Sequence, residues 1–142
     1  MVKRIGWDEF FMKQAELFSS RATCNRLKVG CVIVRGNQLL SEGYNGSVKG
    51  HPHCFDVGCL LNDEQRCIRC IHAEQNAVLN AMAKGVPIEG ATLYVTHEPC
   101  EGCMRFINQA GIKRVVYKEP YKNKYNHHFS SGMLVEQYVQ EG

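Results

Sequence analysis

His72, Glu74, Cys100 and Cys103 stand in the pattern H-x-E … P-C-x-x-C. One imidazole and two thiolates supply three ligands to a Zn²⁺ ion and leave its fourth tetrahedral position open to water. Zinc held in this way lowers the pKa of bound water toward ~7, so a nucleophile forms near neutral pH. Glu74, two residues from the histidine, is then free to move protons without being a ligand. A closed structural zinc site normally takes four protein ligands. Three ligands and an unspent carboxylate point instead to metal-assisted hydrolysis. C-x-x-C alone would not carry that reading, because redox and structural zinc sites use it too.

These residues need rigid supports. Ala73 to Lys84 is rich in good helix formers and ends at Gly85, with Pro87 beyond. Cys100 to Gln109 reads as a second helix, with Pro99 at its entrance and Gly111 closing it. Both halves of the motif therefore fall at helix starts. Cys100 and Cys103 share one helical face, and the helix dipole with its free N–H groups favours the thiolate form that zinc requires. Thr92 to His97 is a strand leading into P-C-x-x-C, and Lys113 to Tyr117 is another β-branched strand.

Upstream, Val29 to Val34 and Gln38 to Gly43 flank an Arg35-Gly36-Asn37 turn and form a hairpin. Cys31, inside the first of these strands, reads as a small core residue. Trp7 to Ser19 has apolar residues at 7, 10, 11, 15 and 18, a helical period broken by Gln14, and its aromatic stripe is expected in the core. Met133 to Val139 suits a short helix or a strand equally. A hairpin followed by helix, strand, helix, strand implies a mixed sheet covered by helices on both faces. The strands at 92–97 and 113–117 should run parallel through a right-handed crossover.

Composition narrows the setting. The 142 residues suit a single domain spanning 1–142, with no linker or internal repeat, and 44% apolar with 22% charged residues are ordinary globular values. No apolar run approaches the ~20 residues of a membrane span, and the N-terminus has no apolar signal-peptide region, so a cytoplasmic protein is expected. The net charge of +3, from 17 basic and 14 acidic residues, suits a small anionic ligand better than a nucleic-acid polymer.

Eight cysteines in a reducing compartment favour metal ligation over disulfides. Cys24 lies in a polar loop, Arg21 to Lys28. Gly43-Tyr44-Asn45-Gly46 opens an irregular segment that runs to Ile71 and carries Cys54, Cys59, Cys67 and Cys70, with His51 and His53 nearby. A loop this long has little core of its own, so a metal crosslink is its natural means of order. Local spacing pairs Cys67 with Cys70 as a C-x-x-C knuckle.

From Trp7 to about Tyr121 the chain resembles the cytidine deaminase-like superfamily, and within it the deoxycytidylate (dCMP) deaminases, including the competence-operon and phage types. The carriers are Ser20-Arg21-Ala22-Thr23-Cys24-Asn25-Arg26, Gly43-Tyr44-Asn45-Gly46-Ser47, His53-Cys54, Asp56-Val57-Gly58-Cys59, Cys67-Ile68-Arg69, Ile71-His72-Ala73-Glu74 and Tyr94-Val95-Thr96-His97-Glu98-Pro99-Cys100. H-x-E with P-C-x-x-C is the signature of zinc-dependent nucleobase deaminases. G-Y-N-G with the cysteine-bearing insertion of residues 46–71 singles out dCMP.

The resemblance implies a three-layer α/β/α sandwich with a roughly five-stranded mixed sheet, and hydrolytic deamination of dCMP to dUMP and ammonia, which supplies thymidylate synthesis. It implies that Glu74 is the proton carrier, that Asn45 bonds the nucleoside, and that Tyr121 or Tyr117 stacks on it, with Arg26 and Lys122 as phosphate contacts. It also implies a second zinc on Cys24, Cys54, Cys59 and Cys67, with Cys59 favoured over Cys70 because family members usually lack a cysteine at the latter position. A hexamer activated by dCTP with Mg²⁺ and inhibited by dTTP is implied as well, with Tyr44, Asn45 and Gly46 in the effector response. The stretch after Phe129 is short against the family, so the last strand is expected to be abbreviated. The competing readings are a tRNA adenosine or nucleoside deaminase of the same superfamily, and a non-catalytic zinc adaptor in DNA uptake.

Overall fold

Alternation along the central strands decides which helix lies on which face of the sheet. In β1 (Gly30–Arg35), Cys31 and Ile33 point to one side and Val32 and Val34 to the other, and all four are buried. β3 (Thr92–His97) repeats the pattern with Leu93 and Val95 against Tyr94, and β4 (Arg114–Glu119) with Val115 against Val116. A strand apolar on both sides must be covered on both sides. The computed structural model, which describes residues 3–121 and 124–140, supplies both covers. Helix α1 (Trp7–Ser19) seats Phe11, Met12 and Ala15 on Val32, Val34, Tyr94 and Val116. On the opposite face, α3 (Ala73–Lys84) and α4 (Glu101–Gln109) bring Ala73, Ala77, Met104 and Ile107 against Cys31, Ile33, Leu93, Val95 and Val115.

The sheet has five strands in the order β2-β1-β3-β4-β5, with β2 spanning Gln38–Tyr44 and β5 Leu134–Gln137. β1 pairs antiparallel with both β2 and β3, whereas β3, β4 and β5 run parallel. The three-layer mixed sandwich expected above is therefore the fold, and the 92–97 and 113–117 strands are parallel neighbours. Met133 to Val139 resolves as strand: Leu134 N donates to Lys113 O and Val135 pairs with Val115, so the final strand is present although it has only 4 residues. Two four-residue helices, α2 (Cys54–Val57) and α5 (Asn126–Phe129), lay below the reach of periodicity.

One packing expectation needs correction. The buried stripe of α1 is Phe11, Met12 and Ala15, while Trp7 and Phe10 are about half and two-fifths exposed, at 52% and 39%. Their rings gather on Phe11 instead, Trp7 stacking at 5.8 Å between centroids and Phe10 edge-on at 5.1 Å. Among the described residues no helix is long and apolar enough to cross a membrane.

Parallel β3 and β4 end at the same side of the sheet, where α3 and α4 begin. Open α/β sheets place ligands in the crevice beyond the carboxyl ends of such strands.

Candidate active site and a neighbouring cysteine cluster

His72 is the N-cap of α3 and Cys100 the N-cap of α4, so both lie at helix starts as the sequence pattern required. The His72 backbone N–H donates to the Gln75 side chain at 3.2 Å, which fixes the entry into α3. Its Nδ1 lies 3.1 Å from the Cys103 Sγ and 3.7 Å from the Cys100 Sγ. Bond lengths of zinc to nitrogen and sulfur give tetrahedral edges of roughly 3.5–3.8 Å. The three donor atoms, all within 4.8 Å of one another, therefore fit one zinc ion.

The three donors share protons closely. A hydrogen bond from the Cys103 thiol, with His72 alongside, brings Cys100 down to about 3. Cys103, the donor to that thiolate, is pushed up correspondingly, and the Cys100 contact raises His72. Glu74 sits in the first turn of α3 with only 4% of its surface exposed, and burial pushes its carboxyl up to about 7. A carboxyl poised near neutrality both accepts and returns a proton, as a general acid and base must.

His72, Glu74 and Cys100 line a cavity of about 220 Å³ whose other walls include Leu27, Val29, Asn45, His97, Glu98 and Tyr121. A larger groove of about 650 Å³ lies on the α1 face of the sheet around Asp8, Arg114 and Tyr138, and its lining holds neither histidine nor cysteine. The chemistry belongs to the smaller cavity.

A second donor set adjoins the first. The sulfurs of Cys24, Cys54, Cys67 and Cys70 all lie within 4.8 Å of one another, with Cys54 3.6 Å from Cys67 and 3.4 Å from Cys70. The mutual set holds Cys70 where the resemblance implied Cys59. Gly46 and Ile71 exchange backbone hydrogen bonds at 3.2 and 2.8 Å and close the neck of the insertion, which holds Cys70 beside the Cys24 loop. The Cys59 thiol adjoins Cys54 and Cys67 without joining that mutual set. Burial works against ionisation of Cys67, but the N–H groups of Arg69, Cys70 and Leu60 outweigh it and bring the thiol down to about 6. Four mutually neighbouring sulfurs, one already solvated by backbone N–H donors, fit a closed zinc site. Asn25 Nδ2 donating to Cys54 O at 2.9 Å, and Thr23 Oγ1 with His53 Nδ1 at 2.9 Å, tie the early loop to the insertion.

The remaining expected contacts divide. Tyr121 lines the cavity. Asn45 lines it too, but its amide is engaged by the backbone: Oδ1 accepts from Val29 N at 2.8 Å and Nδ2 donates to Leu27 O at 2.7 Å. Tyr117 is not part of the lining, because its position in β4 turns it onto the core face. Arg26 is exposed and donates to Gln65 O at 2.7 Å, so it braces the insertion instead of facing the cavity. Tyr44 offers its carbonyl to Asn76 Nδ2 at 2.9 Å. Lys122 lies outside the described residues. Sequence reasoning missed His97 and Glu98 as wall residues, although their position at the end of a strand just before Pro99 was a usable signal.

A mixed sheet whose paired helix starts offer one histidine, two cysteines and a buried glutamate defines the class of zinc-dependent deaminase folds. The chain belongs to the family described as the cytidine and deoxycytidylate deaminase zinc-binding region, whose model matches residues 5–119. It is 51% identical to ComE operon protein 2 of Bacillus subtilis over 85% of this chain and 64% of that protein. It is 39% identical to the deoxycytidylate deaminase of Schizosaccharomyces pombe over 96% of this chain and 45% of that one. The chain thus spans less than two thirds of the length of either relative. The crystal structure of dCMP deaminase from the cyanophage S-TIM5 in complex with dCMP and dUMP superposes with a TM-score of 0.83 at 35% identity, covering 96% of this chain and all of that one.

Proposed function

We propose that this chain catalyses hydrolytic deamination of dCMP to dUMP and ammonia, with a catalytic zinc on His72, Cys100 and Cys103. The observation that carries the reading is Glu74, a buried carboxyl held near neutrality beside a three-donor metal set in the wall of a cavity. Zinc bound there supplies Lewis acidity that makes water nucleophilic near pH ~7. Glu74 takes one proton of the attacking water and delivers it to N3 of cytosine, then takes the second from the new C4 hydroxyl and delivers it to the departing amine, and so returns to its starting state. Asn45 fixes the Leu27–Val29 wall and keeps one further N–H and one further lone pair for the nucleoside. Tyr121 offers a ring face to the base. The preference for dCMP is supported by likeness to the cyanophage enzyme, whose structure holds dCMP and dUMP.

The same reading includes a second zinc on Cys24, Cys54, Cys67 and Cys70, which orders the insertion. It includes dUMP supply for thymidylate, and activation by dCTP with Mg²⁺ and inhibition by dTTP in a hexamer, acting through Tyr44 to Gly46. Gly46 is suited to that part because it closes the neck between β2 and the insertion. A non-catalytic adaptor would leave Glu74 buried without a use.

The test is ammonia release from dCMP, with cytidine, dCTP and tRNA as alternative substrates and with dCTP as effector at varied dCMP. Turnover of dCMP is expected; activity confined to the nucleoside or to tRNA would overturn the reading.

A further inference from the structure

We infer that Glu98 and Asn126 are positioning residues that hold Tyr121 in the wall of the substrate cavity, an assignment that rests on the deaminase reading above. Glu98 follows the last residue of β3 and precedes Pro99 and the ligand Cys100. Its backbone N–H donates to Glu119 O at 2.8 Å, which extends the β3–β4 pairing to the lip of the cavity. Both oxygens of its carboxylate are then engaged by the chain that leaves β4. Oε1 accepts the backbone N–H of Tyr121 at 3.2 Å, and Oε2 accepts Nδ2 of Asn126 at 3.0 Å. The same Asn126 amide donates to Pro99 O at 2.7 Å.

The geometry has an anchor and a load. Asn126 is buried, with 6% of its surface exposed, and its helix α5 is fixed to α4 through Asn108 Nδ2, which donates to Phe129 O at 2.8 Å and Ser131 O at 2.9 Å. Tyr121 is 41% exposed and has left the sheet, so packing alone does not fix it. The Glu98 carboxylate transmits the position of the anchor to the Tyr121 backbone, through hydrogen bonds strengthened by its charge. A wall segment ordered before the substrate arrives removes a cost that binding would otherwise meet. Glu74, His72 and Cys103 stand on α3 and α4, and the Glu98–Tyr121 bond touches none of them. The consequence belongs to KM and not to kcat.

Glu98→Gln keeps the volume but offers one acceptor oxygen to two donors. It is expected to raise KM for dCMP by about tenfold, the scale of a charge-assisted hydrogen bond, with kcat and zinc content held. Asn126→Ala, which attacks the same bridge from its other end, is expected to do likewise. Tyr121→Ala raises KM on its own, and the Glu98→Gln/Tyr121→Ala double variant should match it, because Glu98 acts through Tyr121. Amide exchange at Tyr121, followed by NMR, should quicken in Glu98→Gln while that at Val95 stays slow.

An unchanged KM in Glu98→Gln would overturn the assignment, as would KM effects that multiply in the double variant, or kcat and zinc content falling with KM. A wild-type protein that ignores dCMP overturns the substrate reading alone, and the exchange rate at Tyr121 then decides the Glu98 bridge by itself.

Discussion

Gly43 lies directly beneath Ala77: a Cβ on this glycine would stand 2.5 Å from the Ala77 nitrogen and 2.5 Å from the Ala73 carbonyl oxygen. Ser41 Oγ, two residues earlier on the same face of β2, donates to Ala77 O at 2.7 Å. Helix α3 is therefore seated backbone-to-backbone on β2, and that seat sets the height of His72 and Glu74 above the sheet. Gly43→Ala is expected to lift α3 and destabilise the fold by about 1–3 kcal/mol, the usual cost of overpacking. Denaturant melts read the stability loss, and bound zinc should fall with it because His72 moves away from Cys103. Ser41→Ala, which removes a bond without adding bulk, should cost about 1 kcal/mol and retain zinc.

Glu74→Gln separates metal binding from proton transfer. The amide fills the same buried volume, and Glu74 is not in the donor set, so zinc content should match the wild type. Turnover should fall by about 10²–10⁴, the range that a positioned general acid and base contributes. Metal analysis beside single-turnover rates checks both halves. Full activity in the variant would overturn the proton-carrier role.

The cysteine cluster makes a count. With both sites filled, the protein should hold about two zinc ions per chain, one for each tetrahedral donor set. Cys70→Ser removes a sulfur 3.4 Å from Cys54 and should lower the content to about one, with earlier proteolysis in the insertion. Cys59→Ser should leave the count unchanged, since its sulfur stands beside the mutual set and not within it. The reverse pattern would restore Cys59 as the ligand.

Those two cysteines mark where sequence reading stopped. Helix α3 was legible at both ends, because Gly85 takes the left-handed conformation of a helix stop, at φ 69°, and the helix formers before it are unbroken. The first four strands and the pairing of β3 with β4 followed from short β-branched runs and turn residues, which are local signals, whereas β5 read equally as helix because its four residues gain their ladder only from β4. The H-x-E and P-C-x-x-C ligands were legible because each half occupies a single helix turn. What brings Cys70 and not Cys59 into the mutual set is the Gly46–Ile71 pair, a contact across the whole insertion that no local spacing encodes. Trp7 and Phe10 obeyed the helical period yet stayed exposed, because the sheet beneath α1 takes Phe11, Met12 and Ala15, with Phe18 at its margin. Tyr117 followed the same logic, its strand parity turning it to the core. The Glu98–Asn126 bridge joins residues 28 positions apart and had no local trace.

Far from the metal donors, Asp8 and Arg114 join the start of α1 to the start of β4, with Arg114 Nη2 2.8 Å from Asp8 Oδ2 and Tyr94 Oη donating to Asp8 Oδ1 at 2.6 Å. The Arg114 hydrogen bonds hold the Asp8 carboxyl below its ordinary value, outweighing the partial burial that would raise it. A carboxyl whose pKa is lower in the folded than in the unfolded state adds stability above its unfolded pKa, and that stability is lost as pH falls through the folded value. Arg114 stays charged throughout, so the window opens below about pH 4, where an unfolded aspartate begins to protonate. The side chains are 30% and 43% exposed, which screens the pair and keeps its worth under about 1 kcal/mol. Acid also protonates the zinc ligands, but it does so equally in wild type and Asp8→Asn. The stability difference between the two should therefore be flat from about pH 5 to 7 and shrink toward pH 3, more weakly in high salt. A difference that stays constant across that range would mean that Asp8 and Arg114 are neighbours without electrostatic coupling.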